Sequence, residues 1–526
     1  MASGFIIRKN QYLDSIFLMG VNKRLSQVEG VQQTAVLMGS EKNIRLLSDI
    51  GIVDAQIDAA RPNDLIVAVI AETPQIVDDV LGRLDEWLQA DLQSAPASDL
   101  HTLEGGLAQK PNANLAVISI PGEYAAREAY QALEAGLNVF LFSSNVPIEE
   151  ELRLKRFAAE RRLLVMGPDC GTSLIGGVGI GFANVVRKGA IGAIGASGTG
   201  LQEFTTQIHH AGLGISHAVG TGSHDLSDAI GGTTTFGALD ALEADPRTRI
   251  IALISKPPGA KTLDHLIERL QRCTKPVIGC FLGARVEPGR ASAMLQCVRT
   301  IDEAVLLAIK QIGGTSTSLH TELTPEELKR ATLEKADRSP HQKYLRGLFA
   351  GGSFCYQSQQ ILRDSGITVH SNAPLDPQYR LADRDHSLQH TLVDMGDEYY
   401  TLGKPHPMID DTLRKQRILA ESRDPQVAIL LLDFILGYNA SMDPVGDVLD
   451  AILEAKQMAR QRRGSLTVVA SICGTAEDPQ DLNLQAKLLQ DAGVVVFGSN
   501  AKAAHFCCEL LKQGRSPPCR STSRSC

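Results

Sequence analysis

The sequence predicts an α/β chain of several doubly wound parallel-sheet domains, and three observations carry that expectation. One unit recurs along it: a short apolar run, a turn of small residues, then an amphipathic helix. The apolar runs lack the polar alternation of half-solvated strands, so they belong in parallel sheets covered on both faces. The length, 526 residues, exceeds what one hydrophobic core organises, at roughly 100–200 residues per domain.

The elements follow in order. Val36 to Met38 and Leu65 to Ile70 are strand-like and place a small α/β module over residues 1–95. Residues 91–112, rich in Ser, Ala, Gly and Gln, read as a linker. A second unit, 113–188, opens with the strand Leu115 to Ile120, the turn Pro121-Gly122 and a helix from Ala125 to Ala135 that Gly136 stops; Leu137 to Phe142 and Leu163 to Met166 are its further strands. A third, 189–314, runs from Ala190 to Gly195 through Ala196-Ser197-Gly198-Thr199-Gly200 into a helix, with Ile250 to Ser255 and Val277 to Leu282 as later strands. Residues 315–342 are charged and suit a helical connector, with Pro325-Glu326-Glu327 as a first turn. The last domain, 343–512, holds Gly347 to Phe349 before Gly351-Gly352-Ser353, then Val427 to Asp433, Leu466 to Ser471 and Val494 to Phe497. The tail, 513–526, is rich in Ser and Arg and is expected to be disordered.

Composition narrows the function classes. Hydrophobic residues make up 43% and charged residues 21%, which excludes a fibrous or mainly disordered chain. Fifty-two basic against 60 acidic residues leave −8, so no overall positive field favours nucleic acid. The single Trp and 5% aromatics argue against a base-stacking surface. The longest apolar run, Val427 to Gly437, is interrupted by Asp433 and is too short to cross a bilayer. MASGFIIRKNQ lacks a signal peptide's apolar core, and ten scattered cysteines form no Cys-x-x-Cys pair. A reducing, cytoplasmic setting and no metal site are expected.

Chemistry should sit beyond the carboxyl ends of the strands, where helix N-termini present unpaired amides and a partial positive charge. The run IGAIGASGTGLQE, Ile191 to Glu203, fits best: glycines allow close backbone approach, and Ser197 and Thr199 add hydroxyls. It matches neither a dinucleotide fingerprint nor a Walker loop. Two uses suit it, anion binding or an ordinary turn with Ser as helix cap. A second candidate start follows Asp433, at Gly437-Tyr438-Asn439-Ala440, then Asp443-Pro444. Two such ends from different domains would grip one anion; two separate capped helices are the other reading. Lys256 in SKPPG stands at a strand's carboxyl end, and His406 in GKPHPMID lies between two prolines, which suits proton transfer or phosphate contact. Cys170 in MGPDCGTS is a reactive thiolate or, more in keeping with its turn, an inert cysteine. GTGSHD offers Gly222, His224 and Asp225 as weaker candidates. His209-His210 in a helix do not share a face and read as exposed or interfacial.

Several blocks together resemble a known superfamily. Ile118 to Gly171 resembles the Rossmann-like CoA-binding domain of succinyl-CoA synthetase alpha subunits. IGASGTG, GTG at 220–222 and EADPRTRIIALISKPP resemble that subunit's flavodoxin-like ligase domain. VDMGDEYYTLGKPHPMID and VAILLLDFILG resemble the CoA-ligase domain of the beta subunit. Within the superfamily, GPDCGTS, IGASGTG, SKPP and GKPHPMID in this order resemble the FdrA-type acyl-CoA synthetase-like family, over roughly residues 5–510.

The resemblance implies two phosphate-cradling helix starts, with Ser197, Gly198, Thr199 and Gly200 at one and Asn439 and Ala440 at the other. It implies a former CoA or substrate site lined by Pro121, Gly122, Asn145, Gly167, Asp169, Cys170, Gly222 and Asp225. The superfamily's phosphohistidine loop is replaced by GARVEPGRASAM, its orienting carboxylate by Lys256, and its ATP-grasp domain by the connector alone. A direct grip on free phosphate or an acyl phosphate, without a covalently bound cofactor, follows from these losses. The implied activity is that of a carbamoyltransferase subunit of allantoin breakdown, turning oxalurate and phosphate into oxamate and carbamoyl phosphate with partner subunits or a homo-oligomer. An acyl-CoA ligase subunit using CoA beside a nucleotide-binding partner, and a non-catalytic scaffold or sensor, are the alternatives.

Overall fold

The computed structural model describes residues 2–512 except 12, 14, 40–42, 45, 46, 49, 50, 90–99, 285, 315–320 and 403. It contains four sheets. The first joins β1 (Ala2–Arg8), β2 (Val31–Met38) and β3 (Leu65–Ala71) in the order β1-β3-β2. Both of its pairings are antiparallel, so the N-terminal module departs from the parallel pattern of the rest. Its central strand, LIVAVIA, is buried almost throughout, which is why it reads as an unbroken apolar run.

Residues 113–170 form a small parallel sheet, β4 (Leu115–Ile118), β5 (Asn138–Leu141) and β6 (Val165–Met166), with helices Gly122–Glu134 and Ile148–Glu160 between the strands. Residues 103–109, within the expected linker, form a helix capped by Thr102; its remaining part, 91–99, lies outside the described residues. The tail 513–526 also lies outside them.

The third sheet takes the order β13-β12-β11-β9-β10-β7-β8. Its strands are β7 (Thr172–Ile175), β8 (Val178–Gly181), β9 (Lys188–Gly195), β10 (Ile215–Gly220), β11 (Ile250–Ser255), β12 (Val277–Phe281) and β13 (Leu295–Val298). The β7–β8 hairpin pairs antiparallel with β10, so residues 172–181, counted with the 113–188 unit on sequence, extend the third sheet. The fourth sheet is wholly parallel, β15-β16-β14-β17-β18-β19, built from β14 (Tyr344–Phe349), β15 (His370–Ser371), β16 (Thr391–Asp394), β17 (Val427–Ile435), β18 (Thr467–Cys473) and β19 (Val495–Phe497). The connector forms the helix Pro325–Ala336, started by a Thr324/Glu327 capping box that satisfies two orphan amides reciprocally. All nine residues of β17 are buried. Asp433 survives there because it accepts from the Ala350 and Gly351 amides at 2.8 Å and faces Arg414.

The third and fourth sheets meet along a polar seam. Helix Gly198–His210 packs on Ile301–Gln311, Gly352–Asp364 packs on Asn500–Leu511, and the Gly198 and Gly352 helices touch each other. Glu203 accepts from the Asn500 amide at 2.9 Å, and Gln357 from the Ile301 amide at 2.8 Å. His210 reaches the Gly474 carbonyl at 2.8 Å and His209 faces Glu477 at 3.0 Å, which makes the histidine pair interfacial. Asp478 is the densest knot: its carboxylate accepts from Asn184 Nδ2, the Val185 amide and the Thr475 amide at 2.7, 2.7 and 2.8 Å. Replacing Asp478 by Ala strands these buried donors and should cost about 2–4 kcal/mol, read as a lower urea midpoint and earlier proteolysis between the two domains.

Candidate functional site

The third and fourth sheets point the carboxyl ends of β9, β11, β14 and β16 at one cleft, and each strand end delivers a polar group. Beyond β9, Ser197 is the N-cap of the Gly198–His210 helix in extended conformation, but its side chain makes no cap hydrogen bond. Its hydroxyl instead meets the Ser353 hydroxyl, from the first turn of the Gly352–Asp364 helix. Ser197 thus holds the cap position without its side chain closing the cap. Two helix N-termini from different domains touch at their serines, each with first-turn amides that have no partner inside the helix.

Glycine makes this approach achievable. A Cβ on Gly200 would stand 2.9 Å from Ser353 Oγ, and one on Gly351 would stand 3.0 Å from Thr199 Oγ1. A Cβ on Gly352 would lie 2.5 Å from Asp394 Oδ2 and 2.8 Å from Lys256 Nζ. Two buried hydroxyls here, Thr199 Oγ1 and Thr172 Oγ1, have no hydrogen-bond partner. Buried polar groups are nearly always paired, so among the described residues these two hydroxyls stand out as unsatisfied groups beside the two helix starts.

The charged groups around the junction tune one another. Lys256 stands 4.0 Å from Asp394 and 5.7 Å from the Tyr356 ring centroid. Burial opposes its charge, but Asp394, Tyr356, Asp169 and Asp397 outweigh that and raise its pKa. Burial pushes Asp394 up to about 6, with Lys256 pulling it back down. Loss of solvation around the Asp169 carboxyl raises its pKa, against Ser223, Lys256 and His224. Burial and Lys256 hold His406 down to about 4, so the imidazole is neutral at pH 7. The Met408 amide donates to His406 Nδ1 at 3.2 Å, which leaves the proton on Nε2, beside Gly396. Lys256 and His406, singled out on sequence, are thus brought to one cleft.

Two expectations are corrected. No helix starts at Asn439 and Ala440. Asn439 sits in a left-handed turn and donates to the Gly181 carbonyl at 2.7 Å, while the helix begins at Gly446 with Asp443 accepting from its amide. The helix start that faces Ser197 is Gly351-Gly352-Ser353. Asp225 is no substrate ligand: it is fully buried, paired with Lys155 at 2.8 Å, and accepts from the amides of Thr234 and Thr235. Cys170 is packed under the turn, and burial pushes its thiol up to about 12, in keeping with the inert cysteine favoured on sequence.

The other turn residues serve close packing. Gly222 leaves no room for a Cβ against the Pro168 carbonyl, nor Gly167 against the Leu141 carbonyl. Pro121 precedes the Gly122 helix, and Gly122 abuts the Ser144 and Asn145 backbone, where Asn145 is left-handed. Gly122 and Pro147 flank a groove of about 560 Å³ that also takes in Arg127 and Tyr130. Sequence reasoning missed Thr172, Asp394 and the role of Ser353. Gly351-Gly352-Ser353 carried the same strand–glycine–helix signal as the Ser197 turn, whereas Thr172 and Asp394 lay inside GPDCGTS and VDMGDEYYTLGKPHPMID without being singled out.

Three family models match. Residues 348–508 match the CoA-ligase model, 186–278 the CoA binding domain model, and 1–102 a model described as AllF, heavy metal-associated domain. The CoA binding match falls on the third sheet, beyond the 113–188 unit likened on sequence to such a domain. Uncharacterized protein YahF of Escherichia coli (strain K12) is 40% identical over 518 residues, covering 98% of this chain and 99% of YahF. The chain belongs to the YahF family. That family is part of the acyl-CoA synthetase/succinyl-CoA ligase superfamily. The alpha subunit of ADP-forming succinate–CoA ligase from Staphylococcus aureus (strain Mu50 / ATCC 700699) is 26% identical over 233 residues, 43% of this chain and 74% of the subunit. The dinucleotide-forming acetyl-coenzyme A synthetase 1 of Ca. Korarchaeum cryptofilum, in its apo form, aligns at 20% identity over 76% of this chain and 82% of that one, with a TM-score of 0.27, too low to carry an argument.

The N-terminal description implies a heavy metal. Residues 1–102 contain no cysteine and one histidine, His101. Soft metals select thiolate ligands, so this module does not fit such an ion. Among the described residues no helix is long and apolar enough to cross a membrane.

Two measurements check the site's electrostatics. Iodoacetamide at pH 8 followed by peptide mapping should leave Cys170 unmodified in the native chain and label it in urea. For His406, the folded pKa lies below the unfolded value of about 6.5, so the unfolded chain takes up the proton first as pH falls. Native stability should therefore drop between pH 6.5 and 4, and His406→Gln should flatten that drop in denaturant titrations.

Proposed function

We propose that this chain is an FdrA-type subunit that transfers an acyl or carbamoyl group to phosphate, with oxalurate plus phosphate giving oxamate and carbamoyl phosphate as the favoured form. The single observation that carries the reading is the contact of Ser197 and Ser353 at two facing helix N-termini. Amides of both first turns, with the free Thr199 and Thr172 hydroxyls, hold the phosphate oxyanions. Lys256 neutralises the added charge, and His406 offers Nε2–H to an oxygen of the acyl group. Preorganised donors of this kind act without a covalent carrier, in keeping with the loop 283–294, which holds no histidine.

The likeness to CoA-ligase and CoA binding models favours a second reading, an acyl-CoA ligase subunit that uses CoA with a nucleotide-binding partner. In either reading the chain works in the cytoplasm, on a small anionic substrate and within a multi-subunit assembly. A non-catalytic scaffold would tolerate loss of Lys256 without effect.

Incubating the chain, alone and with candidate partner subunits, with oxalurate and phosphate should yield carbamoyl phosphate, assayed by coupling to an enzyme that consumes carbamoyl phosphate and ADP to form ATP. Lys256→Ala should lower the rate by about 10²–10³, and Gly351→Ala should abolish phosphate binding by wedging the helix starts apart. Acyl-CoA formation with ATP and CoA, in place of carbamoyl phosphate, would select the second reading.

A further inference from the structure

Transfer from a ureide nitrogen to phosphate moves a proton as well as a carbonyl group, and the helix starts supply no group that can carry one. Four acids border the junction. Asp397 accepts from the Tyr399 amide and from Arg384. Asp433 has both oxygens engaged, by the Ala350 and Gly351 amides, with Arg414 beside them. Asp169 lies across Lys256 and is bonded to Ser223. Asp394 differs from Asp433 in its free oxygen and from the exposed Asp169 in its burial. Its Oδ1 accepts from the Gly396 amide at 3.0 Å, and among the described residues its Oδ2 has no hydrogen-bond partner. That free oxygen points at the first residue of the Gly352 helix, beside Lys256 Nζ.

The position is rigid. Asn372, itself buried, clamps the Asp394 backbone from both sides: its Nδ2 donates to the Asp394 carbonyl and its Oδ1 accepts from the Asp394 amide, each at 2.9 Å. The residue closes β16 at the sheet's carboxyl edge, and its side chain is almost wholly buried. A buried carboxylate held with one free oxygen toward an anion site serves proton transfer better than binding, because a fixed negative charge repels phosphate.

We propose that Asp394 is the proton carrier of the reaction, a role that rests on the transfer reading above. Its ionised Oδ2 takes the proton from a phosphate hydroxyl as that oxygen attacks the carbamoyl carbon. The C–O bond forms, the C–N bond breaks, and Asp394 returns the proton to the departing nitrogen, which leaves as the neutral amide of oxamate. Oxalurate and hydrogen phosphate enter, oxamate and carbamoyl phosphate leave, and the carboxylate ends as it began, so atoms and charge balance.

The groups facing Asp394 set when it is competent. Lys256 from the end of β11 favours the ionised form; Asp397 on its own loop and Asp433 on β17 oppose it. Cys355 and Tyr356 from the Gly352 helix, both pushed upward in pKa, are uncharged neighbours, as is neutral His406 across Gly396. With Asp394 titrating at about 6, the carboxylate form dominates at pH 7, and activity should fall as pH drops below that value.

The test uses the active assembly. Asp394→Asn should lower kcat at least about 100-fold while phosphate affinity, by calorimetry, stays within roughly threefold, and the acidic limb of the pH–rate profile should vanish. Asp394→Glu should restore part of the rate together with an acidic limb. Lys256→Met should move the limb of the residual activity to higher pH, because the neighbouring positive charge is gone. Turnover by Asp394→Asn within threefold of wild type, or with its acidic limb intact, would overturn the proposal while leaving the transfer reading standing. Equal losses of kcat and phosphate binding in both the Asn and Glu variants would reduce Asp394 to a structural residue. A wild-type assembly that binds phosphate but makes no carbamoyl phosphate sinks the transfer reading, and this role with it.

Discussion

The contact of two helix starts across a domain boundary is the constraint on which the site depends. Unpaired amides at a helix N-terminus attract anions in any protein, and one such end on a surface is bathed in water and salt. Here two ends are pressed together at Ser197 and Ser353, between a strand end that carries Lys256 and another that carries Asp394. Glycines at 200, 351 and 352 set the spacing, because a side chain at any of them would collide with the opposite helix or its charged neighbours.

Holding two positively polarised ends together is unfavourable without an anion, so the rest of the seam has to supply the restraint. It does so with buried polar contacts rather than an apolar interface: Asp478 with three donors, Glu203 against the Asn500 amide, Gln357 against the Ile301 amide. Polar seams of this kind specify one register, since a shift leaves buried groups unpaired. Asp433 performs a related task within the last domain, fixing the Ala350–Gly351 turn from a strand that is otherwise apolar. The acid that interrupts the longest hydrophobic run is therefore a structural support of the site.

Acids outnumber the cation around the junction before any ligand enters. Lys256 is surrounded by Asp394, Asp169 and Asp397, and His406 is kept neutral. An arriving phosphate would meet one cation, backbone amides and hydroxyls against these carboxyl groups, which suits release of a product better than a dense cluster of arginines would. The chain shares its domain types with CoA ligases, and its loop 283–294 holds no histidine.

What the sequence by itself determined is local: buried strands from unbroken apolar runs, helix starts from glycine turns, the connector helix from its Pro325-Glu326-Glu327 first turn, and Lys256 and His406 at strand and loop positions fit for a site. These are legible because propensity, burial on both faces and capping act over a few residues. Which helix start faces Ser197 was decided only by tertiary structure. Asn439 and Ser353 follow strands of one sheet, and nothing in either segment states which strand lies opposite the neighbouring domain. The burial of Asp225 and Cys170, and the free oxygen of Asp394, were likewise invisible, because pairing and solvent exposure depend on partners that the fold brings in, as it brings Lys155 from 70 positions away to Asp225. Convergence is a property of how two sheets pack, and packing is set by the sum of long-range contacts, which no local pattern records.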